Sequence, residues 1–235
     1  MNKGFDVYTD FSDKVVIHKS NLKNFIKKTT LTRKKYNKFF NGYIGFFSYE
    51  LCCELIGVKI PNQQSNNFYK SIFYKPQTVI KIRRNIRIQS ILSNFKSLDN
   101  LKKSKKKYVY QKKFKVNLSL NQYSKLFDKF IKKIKRGETY QIKICQKYRN
   151  NSRIDPVKFF WNLMKINKSP ESFVIRDLDY SIVSCSPETL IEKKNNMITT
   201  KPIAGTLKKT SRTSKSKAKI YFQNNEKESK EHNMI

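Results

Sequence analysis

The sequence predicts an α+β fold in which antiparallel sheets are covered by helices. Three observations carry that prediction. Residues 71–91 place Ile72, Phe73 and Tyr74, then Val79, Ile80 and Ile82, then Ile86 and Ile88 around Arg83-Arg84-Asn85, a period-two pattern that reads as a β-hairpin. Ser119 to Gly137 reads as one capped amphipathic helix. A helix opened by Asp155-Pro156 is then followed by three short apolar runs, Phe173–Ile175, Tyr180–Val183 and Leu190-Ile191, which read as successive strands.

Taken in order, Phe5 to Phe11 alternates apolar and polar residues and predicts a short strand. A helix begins near Asn21-Leu22, and Thr29, Thr30 and Thr32 weaken its continuation. Gly42 to Glu50 is read as a core strand running into a helix start, and 62–67 as a polar loop. Residues 101–115 hold the densest charge run, expected to be a solvated connection. The domain reading is therefore an N-terminal region over 1–100, a basic connection over 101–118 and a second domain over 119–235.

In that second domain Ser119 and Gln122 form a capping box, and Tyr123, Leu126, Phe127, Phe130, Ile131 and Ile134 make one apolar stripe. Lys132, Lys133 and Lys135 complement the helix dipole, and Gly137 ends the helix as a left-handed cap. Tyr140, Ile142 and Ile144 alternate with Gln141, Lys143 and Cys145, which predicts a two-faced strand. Residues 208–218 read as a Lys/Ser/Thr-rich loop, and 220–232 as a helix starting near Asn225 or Glu226.

Composition bounds the function classes. The 235 residues suffice for a real core, and no apolar run is long enough to span a bilayer, so a soluble intracellular protein is expected. The four cysteines include no Cys-x-x-Cys, and are read as buried thiols, not as a zinc site or disulfide framework. The net charge of +34 permits a nucleic-acid-binding reading. The basic residues are spread along the whole chain beside abundant Asn and scarce Gly, however, so compositional drift is preferred and no specific nucleic-acid partner is expected.

The chemistry concentrates in the last third. Ser184-Cys185-Ser186-Pro187-Glu188, then Pro202-Ile203-Ala204-Gly205-Thr206, then Lys227-Glu228-Ser229-Lys230-Glu231-His232 place Pro and Gly beside carboxylates and a hydroxyl. Glu228 and Glu231, three apart on a helix, share one face within reach of one cation. Solvated salt bridges to Lys227 and Lys230 are the alternative reading of the same spacing. With Gly137-Glu138-Thr139-Tyr140-Gln141 and Gly42-Tyr43-Ile44-Gly45-Phe46-Phe47-Ser48-Tyr49-Glu50, these ordered blocks resemble the chorismate-utilising enzymes, which include anthranilate, aminodeoxychorismate, isochorismate and salicylate synthases.

The resemblance implies an α/β sandwich of the anthranilate synthase component I type, incomplete at its C-terminal edge. It implies a lyase that converts chorismate and ammonia to anthranilate and pyruvate with Mg²⁺, the aminodeoxychorismate branch being the nearest alternative. Glu231 is implied as the more direct Mg²⁺ ligand and Glu228 as a ligand through water. Glu188 is implied as the general acid for the departing hydroxyl, a role that needs a carboxyl kept protonated by burial. Gly205 and Thr206 are implied to cradle a substrate carboxylate. Ala204 stands where many aminodeoxychorismate synthases carry a lysine nucleophile, which favours the anthranilate branch. Gln141 stands where the hydroxylating members carry a water-activating lysine, and it has no basic group. With His18 and His232 the only histidines, no glutaminase site is expected, so ammonia would come from a glutamine amidotransferase subunit or from solution. Family members continue past the position of Ile235 with further site residues, so this chain is expected to hold half an active site and to be inactive alone.

Overall fold

A computed structural model describes residues 4–29, 42–60, 71–93, 108–111, 113–203, 205–211 and 213–234. The polar stretch 62–67, much of the basic run, Thr30, Thr32 and Ala204 lie outside the described residues. The chain divides into two compact units, residues 1–103 and 104–235.

The first unit is organised by β3 (Ser71–Ile82). One edge of β3 pairs with β1 (Phe5–Ile17), and the other is shared by β2 (Ile44–Phe46) and β4 (Ile86–Ser90), all antiparallel. The expected hairpin is β3–β4, turning at Arg83–Asn85, and β1 runs well past the expected 5–11. Pro76 has no N–H to give. It falls where the β1 register shifts between Phe11 and Asp13, and between the reaches of β2 and β4. The Arg83 guanidinium ties the sheet end together, donating to Asp6 Oδ1 at 2.7 Å and to the Phe5 carbonyl at 2.9 Å.

Among the described residues two helices join this unit, α1 (Lys19–Thr29) and α2 (Tyr49–Leu55). Phe25 on α1 packs against Tyr43 and Phe73 with ring centroids 5.1 and 5.3 Å away, and Phe47 reaches Phe73 at 4.9 Å. Ser48 starts α2 by accepting from the Leu51 N–H at 3.2 Å, while its own N–H donates to the buried Ser71 hydroxyl at 2.8 Å. Ile17, Leu51, Cys53, Ile72, Tyr74, Val79 and Ile80 form the core, and no buried aliphatic or aromatic side chain lies outside this unit among the described residues.

Among its described residues the second unit holds three two-stranded antiparallel sheets and four helices. The capping box forms as expected at the start of α3 (Leu120–Lys135): Ser119 Oγ accepts from the Gln122 N–H and Gln122 Oε1 from the Ser119 N–H. Gly137 closes α3 with φ +74°, as its Glu138 neighbour donates back to the Lys133 carbonyl at 3.1 Å. Asp155 caps α4 (Pro156–Ile166), accepting from Val157 and Lys158 N–H at 2.9 and 3.1 Å. This helix packs on the hairpin of β7 (Glu171–Arg176) and β8 (Ser181–Ser186), where Cys185 Sγ lies 3.7 Å from Met164 Sδ. β9 (Thr189–Lys194) pairs with β10 (Met197–Lys201) across a turn in which Asn195 takes φ +55°.

Several expectations are corrected. Residues 140–147 form no ladder; alternation sorts the side chains, with Ile142 and Ile144 half-buried and Gln141 and Cys145 exposed, but a strand also needs a partner. Part of the expected connection is paired: β5 (Lys115–Val116) joins β6 (Tyr148–Arg149), and Val109 bridges Arg153, so the side chains stay solvated while the backbone is bonded. The loop over 208–218 is already helical from Lys215, because Ser214 caps α5 (Lys215–Asn224). The single helix over 220–232 is two, α5 and α6 (Glu226–Asn233), divided at Asn225. Of the four thiols only Cys53 is buried; Cys52 sits one residue round the helix and faces solvent. Among the described residues no helix is long and apolar enough to cross a membrane.

Candidate active site

The site is built on α6. Asn225 leaves the helical region (φ −92°, ψ 104°), and its Oδ1 accepts from the Glu228 N–H at 3.2 Å, which stops α5 and starts α6 in a new direction. Glu228 and Glu231 lie one turn apart on this short helix. Lys227 Nζ stands 3.9 Å from Glu228 Oε1 and 3.7 Å from Glu231 Oε1, so one ammonium already serves both carboxylates. Lys230 turns elsewhere, donating to Glu226 Oε1 at 2.5 Å, and that bond holds the Glu226 carboxyl below the usual carboxylate range.

The two carboxylates differ in what surrounds them. Glu228 is 15% exposed, and its Oε2 is buried without a hydrogen-bond partner among the described residues. It rests directly on Gly205: a Cβ at that position would overlap the carboxylate. Glu231 is 24% exposed and lines a cleft of about 390 Å³ with Tyr140, Gln141, Glu226, Lys227, Lys230 and Met234. Gln141 reaches this cleft because Gly137 reverses the chain after α3 and Thr139 Oγ1 then donates to the Gln141 carbonyl at 3.2 Å.

Glu188 sits in the short turn between β8 and β9. Its Oε1 accepts from the Ile203 N–H at 3.3 Å, joining the Ser-Pro-Glu turn to the loop that carries Gly205 and Thr206. The structure thus connects Glu188 to that loop, the loop to Glu228, Glu228 to Glu231 through Lys227, and Glu231 to Gln141. Among these residues only Gln141 and Glu231 line the described cleft. Glu188 and Thr206 are exposed, so the burial expected to keep a Glu188 carboxyl protonated is not supplied by the described residues. The alternative reading of the Glu pair is also present: both salt bridges to Lys227 exist.

Sequence reasoning missed two features. Tyr140 and Met234 line the cleft, and Gly205 lodges a carboxylate belonging to its own chain. Among the described residues no three His, Cys, Asp or Glu side chains converge as a metal-ligand set. Glu228 and Glu231 present the oxygen donors that a hard divalent cation takes, but the Lys227 ammonium already stands beside both.

A family model described as chorismate binding enzyme matches residues 4–235. The chain belongs to the chorismate-binding enzyme family. Within that family it is similar to the anthranilate synthase component 1 of Saccharolobus solfataricus, 24% identical over 201 residues that cover 84% of this chain and 47% of that protein. It is also similar to the aminodeoxychorismate synthase component 1 of Bacillus subtilis, 30% identical over 115 residues, 48% of this chain and 24% of that one. The crystal structure of anthranilate synthase component I from Streptococcus pneumoniae superposes with a TM-score of 0.77 at 17% identity, covering 99% of this chain and 59% of that one. The fold is therefore that of a chorismate-binding enzyme, and the predicted α+β class holds. The chain spans about half the length of the curated relatives it matches along most of its own length.

Proposed function

We propose that this chain belongs to a cytoplasmic chorismate-aminating lyase of the anthranilate synthase component I type, acting with a glutamine amidotransferase subunit that supplies ammonia. The observation that carries the reading is the cleft that Glu231 and Gln141 both line. A carboxylate there can anchor a cation for an anionic substrate, and the neighbouring amide cannot deprotonate water. Ammonia needs no such base, because its lone pair is already free.

Glu231 and Glu228 would hold Mg²⁺, which supplies positive charge to orient the substrate carboxylate. Thr206 would donate its hydroxyl to the substrate beside Gly205. Glu188, anchored by the Ile203 N–H, would protonate the leaving hydroxyl once further chain or substrate covers it. The aminodeoxychorismate branch is the second reading, favoured by the similarity to the Bacillus protein. Ala204 argues against it, because a methyl group cannot form the covalent adduct that a lysine there would allow.

The test is anthranilate fluorescence with chorismate, ammonium and Mg²⁺. The chain alone should show no turnover, since two carboxylates are a small part of the shell of an ion that gives up water reluctantly. Complemented with the portion of the Saccharolobus relative that it does not align with, it should form anthranilate, and Glu231→Gln should reduce the rate at least about a hundredfold. An aminated product without pyruvate release would move the chain to the second branch. Turnover unaffected by Glu231→Gln would overturn the metal role.

A further inference from the structure

We propose that the two-stranded ribbon of residues 109–111 and 113–117 against 147–153 is a docking surface for single-stranded nucleic acid. It would bind phosphates and stacked bases with little regard to sequence. This surface uses none of the residues assigned to the enzyme reading, so neither stands or falls with the other.

The ribbon runs on beyond β5 and β6. Val109 and Arg153 exchange N–H bonds at 2.8 Å in both directions, and the Gln111 N–H donates to Ser152 Oγ at 2.8 Å. Lys115 and Val116 then pair with Arg149 and Tyr148, and the Asn117 N–H donates to the Lys147 carbonyl at 3.2 Å. Among the described residues no third strand joins β5 and β6. The backbone is bonded, while the cations and rings stand exposed to water.

Three observations say what this surface fits. Residues 101–118 and 140–154 contain no Asp or Glu, and Lys113, Lys115, Lys147, Arg149 and Arg153 have no ion-pair partner among the described residues. Lys115 sits directly opposite Arg149, a like-charge pair that destabilises a sheet unless an anion lies beside it. Tyr110, Phe114 and Tyr148 are 66%, 57% and 61% exposed, and none meets another ring among the described residues. Between them lie the amides Gln111, Asn117, Asn150 and Asn151, which suit the polar edges of bases and not acyl chains.

Charge by itself would not single out this surface, since the whole chain is basic. The β9–β10 hairpin shows the difference: Lys201 there is paired with Glu192, and residues 189–201 include no aromatic ring. Unpaired cations beside open rings match a polynucleotide whose bases are free, because phosphates meet the cations and bases stack on the rings. A duplex hides its base faces and leaves the rings idle.

The experiment follows the fluorescence anisotropy of a labelled oligothymidylate of about 15 nucleotides, and of a duplex of equal length, on titration with the 235-residue chain. Tyr148→Ala and Tyr110→Ala should each weaken single-strand binding about tenfold, and Tyr148→Phe less than about twofold. Lys115→Gln with Arg149→Gln should lower the slope of log affinity against log salt by about 1.4, for two lost phosphate contacts. Lys193→Gln with Lys194→Gln, the same change of charge on β9, should lower it by less than about 0.5. The duplex should bind at least about fivefold more weakly than the single strand. Unchanged affinity in both alanine variants, equal slopes in the two double variants, or equal binding of duplex and single strand overturns the proposal. Binding that depends on Tyr148 with anionic phosphatidylglycerol vesicles but not with the oligonucleotide also overturns it, and makes the surface a lipid contact. Circular dichroism checks each fold; should Tyr148→Ala unfold the chain, Tyr110→Ala and the salt slopes decide.

Discussion

Ile17 and Ile198 are both isoleucines in antiparallel strands, yet Ile17 is 2% exposed and Ile198 is 70% exposed. The contrast extends to the units that carry them. The first unit stacks α1 and α2 with the sheet around β3 and closes a core there. The second has strands and helices as well capped and as cleanly alternating, but Ile166, Leu178, Leu190, Ile191 and Met197 remain exposed. Local pattern is enough to make an element; burial needs a second layer laid against it. The candidate site residues belong to this second unit, whose apolar faces stay open among the described residues.

Hydrogen exchange is the broadest way to break this comparison. Amides of β3 around Thr78 and Val79 should be protected at least about a hundredfold more than those of β9 and β10, because only the former must wait for a cooperative opening. Equal protection would mean that the second unit is as closed as the first. Truncation sharpens it residue by residue. Ile17→Ala should cost about 2–5 kcal/mol in urea unfolding, and Ile198→Ala no more than about 0.5 kcal/mol. Removing a cap tests the second unit where it is locally complete: Asp155→Ala strips two N–H groups of their acceptor and should cost about 1 kcal/mol.

The smallest expected effect is alkaline. Burial, reinforced by the Asp6 carboxylate, raises the Tyr8 phenol above its ordinary value of 10.0. The folded state therefore holds this proton more tightly than the unfolded chain. That contribution is complete below pH 10 and is lost as the pH climbs through the raised value. Urea midpoints measured from pH 9 to 11 should fall less steeply in Tyr8→Phe than in wild type.

What the sequence made legible is what it encodes locally. Ser119 and Asp155 announce helix starts through side chains that bond N–H groups two or three residues on, and both do so; Asn225 caps α6 in the same way, though the residues alone read one helix running through it. The β3–β4 hairpin is legible for the same reason. Tyr140 to Cys145 misleads because its alternation records two faces but not a partner strand. Cys52 misleads because composition says how often thiols are buried, not which way one helical residue points. In the site, the Glu228–Glu231 spacing is visible along the chain. The rest of Glu228's surroundings are not: Gly205 meets it from another loop, and no spacing rule links the two.

The pairing of β1 with β3 has a consequence for the order in which the molecule comes into being. Ile17 pairs with Ser71 and Phe5 with Ile82, so the strand synthesised first must wait for one made more than fifty residues later. At roughly 5–20 residues per second, β1 spends several seconds outside the ribosome with both edges unmatched. The hairpins of the second unit have no comparable delay, since β7 with β8 and β9 with β10 pair as neighbours within moments of emerging. The better-buried half of the molecule is thus the half with the longer vulnerable infancy. A ribosome pause placed between β1 and β3 should lengthen that exposure and lower the yield of folded chain.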